Sequence, residues 1–432
     1  MMSSLCLKEI CNLQNGFAFK SKDYVESSNT INFRMSQIRP GGRIDLKHNP
    51  KFLPNEFVEK YKDYLLKDGD IVIAMTDMAS DTKILGVPTI VKSNKEKLLL
   101  NQRVGKLYNI DLRVVSIPYL RYILTAPQIY AQYKKLGKGG VQINLGKDDI
   151  LGIHIPVFSL LEQKAIVAKI EQLFSELDKG IESLKTAQAK LKIYRQAVLK
   201  KEFEGDYKLV EIGDVCDVFV GATPSRKNTN YWDGDIYWVS SGEVKFNTIN
   251  NTKEKITEEG LKNTSTVLHP PQTILLAMIG EGKTRGQCAI LNIHAAHNQN
   301  TAALRAKKEL LDFRFLYNFL VYTYEDTRRI GSGNNQKALN KARVSALTLP
   351  LPTIEEQNQI VQEIESRLSL CDNIEQTISD ALIKAEALRQ SILKKAFEGK
   401  LLHVKELEAI KSHPEYESAE KLLQRIKLER AK

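Results

Sequence analysis

The chain reads as an α+β protein: two mixed α/β domains joined by two long helices that pair as an antiparallel coiled coil, with a pseudo-twofold internal repeat. Three observations predict this. Leu145–Gly205 overlays Leu339–Gly399 without a gap, 194 residues further on, with 21 identities in 61 positions. Both copies carry a long apolar stripe at heptad spacing. The blocks outside the stripes hold short apolar runs bounded by Gly, Asp and Asn, as strands do. A period this long is a duplicated domain-plus-helix module rather than a solenoid unit of 20–50 residues.

Residues 1–155 form the first domain, 156–205 the first helical segment, 206–350 the second domain, 351–400 the second helical segment and 401–432 a helical tail. In the first domain, Asp70–Thr76, Val87–Val91 and Leu98–Leu107 are expected strands; their counterparts are Thr273–Ile279, Gln287–Leu291 and Thr301–Arg305. Helices are expected over 117–135 and 312–328.

The first long helix spans 160–203, with Ile170, Leu173, Leu177, Leu184, Ala187, Leu191, Tyr194 and Val198 in a 3-4 alternation broken by Gly180. The second keeps the register at Ile364, Cys371, Ile374, Ile378, Ala381, Ala385, Leu388 and Ile392, with Arg367 the misfit. Pro156 and Pro350 mark the helix starts, and Gly205 and Gly399 the ends. About 45 residues at 1.5 Å each reach roughly 65 Å. The second helix should fold back along the first to bury its stripe; the alternative is that each helix packs only on its own domain. Gly180, Ala187, Ala381 and Ala385 would allow the two backbones to approach closely.

The net charge of +11 divides unevenly: 1–155 carries +8 and 206–350 carries +3, while the helical remainder sums to zero. A basic excess on globular domains suits a polyanion, most often nucleic acid. The five cysteines (6, 11, 216, 288, 371) are scattered without CxxC spacing, which fits reduced thiols better than a disulfide framework or zinc ribbon. Cys371 falls on a helical core position. Residues 1–10 show no signal-peptide run, and no stretch approaches 18 apolar residues, so a soluble protein of the prokaryotic cytosol is expected.

With these features the whole chain resembles the specificity subunit of type I restriction-modification enzymes, HsdS. Gly137-Lys138-Gly139-Gly140-Val141-Gln142, Ile155-Pro156 and Glu162-Gln163-Lys164-Ala165-Ile166-Val167 stand where that family's recognition domain ends and its helix opens. The second copy reads Gly331-Ser332-Gly333-Asn334-Asn335-Gln336, Leu349-Pro350-Leu351-Pro352 and Glu356-Gln357-Asn358-Gln359-Ile360-Val361. Gly16-Phe17-Ala18-Phe19-Lys20-Ser21 and Gly221-Ala222-Thr223-Pro224-Ser225 are similar to the family's domain starts, and Pro414–Lys432 to its C-terminal helix.

The resemblance implies a non-catalytic DNA reader. Two target recognition domains would each read half of a bipartite, asymmetric site, and the coiled coil would set the gap and dock two methyltransferase subunits. Two ATP-driven restriction subunits would join in the nuclease, making the complex a DNA adenine methyltransferase and ATP-dependent endonuclease. S-adenosylmethionine, ATP and Mg²⁺ would sit on those partners and no cofactor on this chain. The helices lack short tandem repeats, so no gap-length switch is expected. The alternative is a standalone duplicated DNA-binding regulator without a methyltransferase partner.

Candidate DNA contacts follow from side-chain chemistry. Lys20, Lys22, Ser225, Arg226 and Lys227 flank the opening motifs and suit phosphate oxygens. Lys138, Gln142, Asn335 and Gln336 lie in the Gly-rich stretches, which could equally be ordinary turns. Asn101, Gln102, Asn298 and Gln299 carry amides suited to adenine, and Arg103 suits guanine; framework hydrogen bonding is the competing reading for the shared Asn-Gln. Glu162, Gln163, Glu356 and Gln357 are either helix-start residues favoured by the macrodipole or a partner-docking surface.

Three patterns carry less. Ala277–Thr284 fits a relaxed Walker A, but the following residues read as turn and strand rather than the helix a phosphate cradle needs; Lys283 and Arg285 are better placed on a DNA-facing loop. His294 and His297 lack acidic or cysteine ligands at metal spacing, so no metal site is expected. Asn49-Pro50-Lys51-Phe52 departs from the amino-methyltransferase tetrad at Lys51 and reads as a turn. No catalytic residues are expected.

Overall fold

A computed structural model describes residues 3–80, 83–93, 95–280, 282–329 and 339–431. The chain forms two compact units, Met1–Ser183 with Ala381–Lys432, and Leu184–Asp380. Each unit therefore contains one domain and one stretch of each long helix.

In the first unit an antiparallel sheet runs in the order Pro88–Ile90, Ile71–Ala74, Val104–Tyr108, Asn12–Asn15. Its central strand explains the uninterrupted apolar run. Ile71 and Ile73 face the core built with helices Ile117–Leu124 and Pro127–Leu136, while Val72 and Ala74 face a second core on the other side. A strand covered on both faces has no polar side to display. The second sheet runs Phe52–Leu53, Thr30–Phe33, Lys97–Leu100, Leu65–Leu66, with the middle pair parallel.

The second unit repeats the plan. Cys216–Val220, Thr301–Ala306, Ile274–Ala277, Cys288–Leu291 and Asn247–Ile249 form one sheet in that order. Ile274 and Leu276 face the core shared with helix Phe313–Tyr322, and Leu275 and Ala277 face the opposite one. Glu254–Ile256, Trp232–Val239 and Ala295–His297 form the other sheet, again with one parallel pair. Short two-stranded ladders, Ser4–Cys6 with His154–Pro156 and Leu209–Glu211 with Thr348–Pro350, close the two domains alike.

The structure corrects several expected boundaries. Leu98–Leu107 is two strands on two sheets, with Asn101-Gln102-Arg103 as the turn where the chain crosses between them. The 117–135 helix breaks before Pro127, whose ring cannot continue it, and the 312–328 helix breaks at Thr323. Pro156 and Pro350 end the short strands; the helices begin four residues later.

Both long helices are 44 residues, Leu160–Phe203 and Ile354–Phe397. Within each unit their segments run antiparallel. In the first, Ile166 and Ile170 share a core with Ile392 and Phe397, and Arg389 reaches Asp178 while its guanidinium lies 4.3 Å from the Phe174 ring centre. In the second, Leu199 and Phe203 share a core with Ile360 and Ile364, and Arg195 reaches Asp372 at 2.6 Å and Glu375 at 3.1 Å. Arg195–Asp372 and Arg389–Asp178 are the same pair under the 194-residue repeat.

The seam is narrower than a full heptad stripe. Ile364, Cys371, Ile378, Ala385 and Ile392 are buried at every seventh position, whereas Tyr194, Ile374 and Leu388 are exposed. Gly180 has nothing within 4 Å of a Cβ position, so it is no close-approach site. The helix ends also differ: Gly399 is left-handed at φ 69°, as a C-terminal cap requires, while Gly205 is packed under Tyr207. The tail forms helices Val404–Lys411 and Ala419–Ala431, and Leu422 and Ile426 enter the first unit's core.

Candidate nucleic-acid interface

The shared Asn-Gln pairs lie on the crossover turns. Asn101 and Asn298 are buried; their Oδ1 atoms accept from the backbone N of Arg103 at 3.2 Å and of Asn300 at 3.1 Å. These side chains shape the turn, which decides for the framework reading. The opening glycines press against the same turns. A Cβ at Gly16 would meet the Asn101 carbonyl oxygen at 2.2 Å, and one at Gly221 the His297 carbonyl oxygen at 2.0 Å. Phe17 N donates to Leu100 O, and Ala222 N to His297 O. Gln102 and Gln299, the next residues, are exposed at the turn surface.

In the first unit the turn holds Arg103 beside a two-stranded ribbon, Thr76–Met78 paired with Gln142–Asn144, in which Met78 and Asn144 are exposed. Arg103 Nη1 donates to Gln142 Oε1 at 3.2 Å, so two residues 39 apart in sequence come together. Met78 and Asn144 share this site, and sequence reasoning missed both; the polar-apolar-polar order Gln142-Ile143-Asn144 was the available signal. Asp77, on the inward face, accepts from the backbone N of Met78, Ile84 and Leu85 at 2.8, 2.6 and 3.0 Å. Lys138 is exposed at the ribbon's base, where Gly139 takes φ 126°. Lys20 and Lys22 are exposed beside the opening motif.

The second unit disposes its candidates differently. Arg226 forks onto the Glu254 carboxylate and lies 3.7 Å from the Trp232 ring centre. Arginine's ion pair holds Glu254 below the usual carboxylate range. Arg226 is thus committed within the domain and is no ready phosphate clamp. Ser225 and Lys227 are exposed, with the Ser225 carbonyl accepting from Trp232 Nε1 at 3.2 Å. Gln299 Oε1 accepts from Thr223 Oγ1 at 2.5 Å. Lys283 and Arg285 sit on a turn over 282–286 that helix Tyr324–Arg329 holds through Tyr324 Oη to Lys283 O and Arg328 Nε to Gly282 O. A strand follows that turn, so no helix N-terminus forms there for a phosphate. Asn335 and Gln336, with the rest of 331–336, lie outside the described residues.

The helix starts resolve the Glu-Gln pairs. Ser159 N donates to Glu162 Oε2 at 2.9 Å while Ser159 Oγ accepts from Glu162 N; Thr353 and Glu356 repeat the pattern. These are capping boxes. Gln163 and Gln357 are fully buried. Gln163 donates to Val114 O and Phe158 O and accepts from Ser116 N; Gln357 donates to Leu310 O and Pro352 O and accepts from Asp312 N. Each amide ties its long helix to the residue that precedes a domain helix, Ser116 before Ile117–Leu124 and Asp312 before Phe313–Tyr322. Buried and saturated, Gln163 and Gln357 offer a partner nothing, which corrects the docking reading for them.

His297 is buried in the second unit beside His269, not His294. Arg305 Nε donates to His269 Nδ1 at 3.1 Å, the two Nε2 atoms are 3.2 Å apart, and His297 Nδ1 lies 2.7 Å from Thr301 Oγ1. Burial lowers His269 to about 3 and His297 to about 4, so both are neutral at pH 7. Among the described residues no group of three or more metal-ligating side chains occurs. All five cysteines are buried and unbridged. Among the described residues no helix is long and apolar enough to cross a membrane.

The duplicated frame has known relatives. The family described as the type I restriction modification DNA specificity domain matches twice, over residues 2–186 and 204–384. An Escherichia coli protein, the type I restriction enzyme EcoBI specificity subunit, is 24% identical over 468 aligned residues, covering 99% of this chain and 92% of its own. A chain solved in work on complex assembly and conformational transition of the type I R-M system superposes with a TM-score of 0.71 at 19% identity, over 92% of this chain and 98% of its own. The HsdS subunit from Thermoanaerobacter tengcongensis gives 0.57 at 18% identity, over 92% and 97%. With both halves matched by the family model, this chain belongs to the type I restriction modification DNA specificity family.

Proposed function

We propose that this chain is the DNA-specificity subunit of a type I restriction-modification complex, each domain reading one half of a bipartite, asymmetric duplex site. The observation that carries the reading is one recognition frame built twice with different exposed side chains. Equivalent turns and helix starts hold the domains in the same way, while Arg103–Gln142 in one and Arg226–Glu254 in the other make the outer faces unlike. Two unlike readers on one chain suit an asymmetric site, and the paired helices set the gap between its halves.

The chain supplies recognition and assembly without chemistry of its own. Two methyltransferase subunits, with S-adenosylmethionine, would modify the site. Two restriction subunits, using ATP and Mg²⁺, would make the assembly a nuclease. Lys20, Lys22, Lys138 and Lys227 would hold phosphates, a sequence-independent contribution that weakens with salt.

Methylated-base sequencing of host DNA, with the gene present and deleted, tests this. The expected result is a two-part motif with a fixed unspecified gap that disappears on deletion. An unchanged methylome, with the methyltransferase subunit expressed and active, would favour the standalone regulator instead.

A further inference from the structure

We infer that the ribbon Thr76–Met78/Gln142–Asn144 enters the DNA major groove as the first domain's base reader, with Arg103 as its guanine-selecting residue. This rests on the specificity-subunit reading above and names the element that performs it.

The ribbon's register sorts its side chains. Gln142 pairs with Met78, Ile143 with Asp77, and Asn144 with Thr76. Alternation puts Ile143 and Asp77 on one face, where Ile143 packs on the first unit's core and Asp77 is buried against backbone N–H groups. Gln142, Asn144, Met78 and Thr76 share the other face; Met78 is 42% exposed and Asn144 exposed, while Thr76, at the base, is buried under Asn144. The one carboxylate of the ribbon is therefore turned inward and bonded, so it does not repel a polyanion laid on the outer face.

What remains outward is a set of groups matched to base edges. Gln142 Oε1 steers the Arg103 guanidinium by one N–H, and among the described residues the other N–H groups of that fork carry no further bond. A fork of this kind pairs with guanine O6 and N7. Thr76 Oγ1 donates to Asn144 Oδ1 at 2.8 Å, fixing that amide on the face it shares with Gln142. Met78, and Val141 at 76% exposure, add apolar surface suited to a thymine methyl. Two strands about 4.8 Å apart fit a groove about 12 Å wide, and exposed Lys138, bridged to Asn144 through the backbone, supplies a cation for a phosphate beside it. The apolar side chains of Met78 and Val141 are exposed here and would leave water on entering a groove.

The test is selection from a duplex library, using the full chain assembled with its methyltransferase subunits. Wild type should enrich a bipartite sequence. Arg103→Ala should lower the preference for guanine at one position of one half-site by about ten- to a hundredfold and leave the other half-site unchanged. Arg103→Lys, which keeps the charge but loses the fork, should relax the same position. Met78→Ala, at an exposed site, should relax a neighbouring position to a smaller degree. The untouched half-site reports that each variant is folded and assembled. Uniform weakening across sequences, or an unaltered motif in the Arg103 and Met78 variants, would overturn the ribbon assignment while leaving the specificity role intact. Wild type selecting no bipartite sequence would sink the role itself.

Discussion

Arg103 in the first unit lies against Gln142 on an exposed ribbon, whereas Arg226 in the second is stacked on Trp232 and forked onto Glu254. In their buried frames the units are alike. An opening glycine presses on an Asn-shaped crossover turn, and a buried glutamine ties the domain to its long helix. The difference teaches where each constraint acts. Buried amides and close backbone contacts admit one solution, so both copies use it. Exposed side chains answer to whatever docks on them, so they are free to differ.

The comparison breaks first at the glutamines. Gln163→Ala and Gln357→Ala each strand one backbone N–H and two carbonyls, at about 1–3 kcal/mol per orphaned group before relaxation. Each should destabilise its own unit by about 3–4 kcal/mol and spare the other. Hydrogen exchange resolved by segment checks this; equal loss in both units from one substitution would contradict it.

A second effect separates the units by pH. His269 and His297 are neutral when folded, at about 3 and about 4, and titrate near 6.5 when unfolded. The unfolded chain thus binds more protons below pH 6.5, so this stability is full above that value and declines as pH falls towards 4. The slope approaches about 1.4 kcal/mol per pH unit for each ring. The described histidines of the first unit are all exposed, so its protection should stay level between pH 7 and 5. His297→Gln should flatten the second unit's profile in the same exchange experiment.

The smallest expected effect is the one most evenly shared. Arg195→Ala and Arg389→Ala remove repeat-related pairs that are largely solvent-exposed on the acidic side, so each should cost about 0.5–1 kcal/mol, shrinking in high salt. Thermal melts at two ionic strengths decide it. The Arg389 variant should lose slightly more, since its guanidinium also stacks on Phe174.

The amino-acid sequence by itself determined the duplication, the two long helices, the central strands and the family. Those features rest on periodic or locally repeated signals: heptad stripes, continuous apolar runs covered on both faces, and Glu-Gln at each helix start. Tertiary structure alone decided what those residues do. Gln163 and Gln357 face inward because distant carbonyls at Val114 and Leu310 come within hydrogen-bond reach. Asn101 turns a crossover because residues 97–100 and 104–108 belong to different sheets. Arg226 is tied up because Glu254 arrives from a neighbouring strand, and Arg103 meets Gln142 because a 39-residue excursion closes onto its own turn. Local pattern specifies an element through its own burial. A side chain's role depends on which remote groups the fold brings within about 3 Å of it, and no spacing along the chain records that.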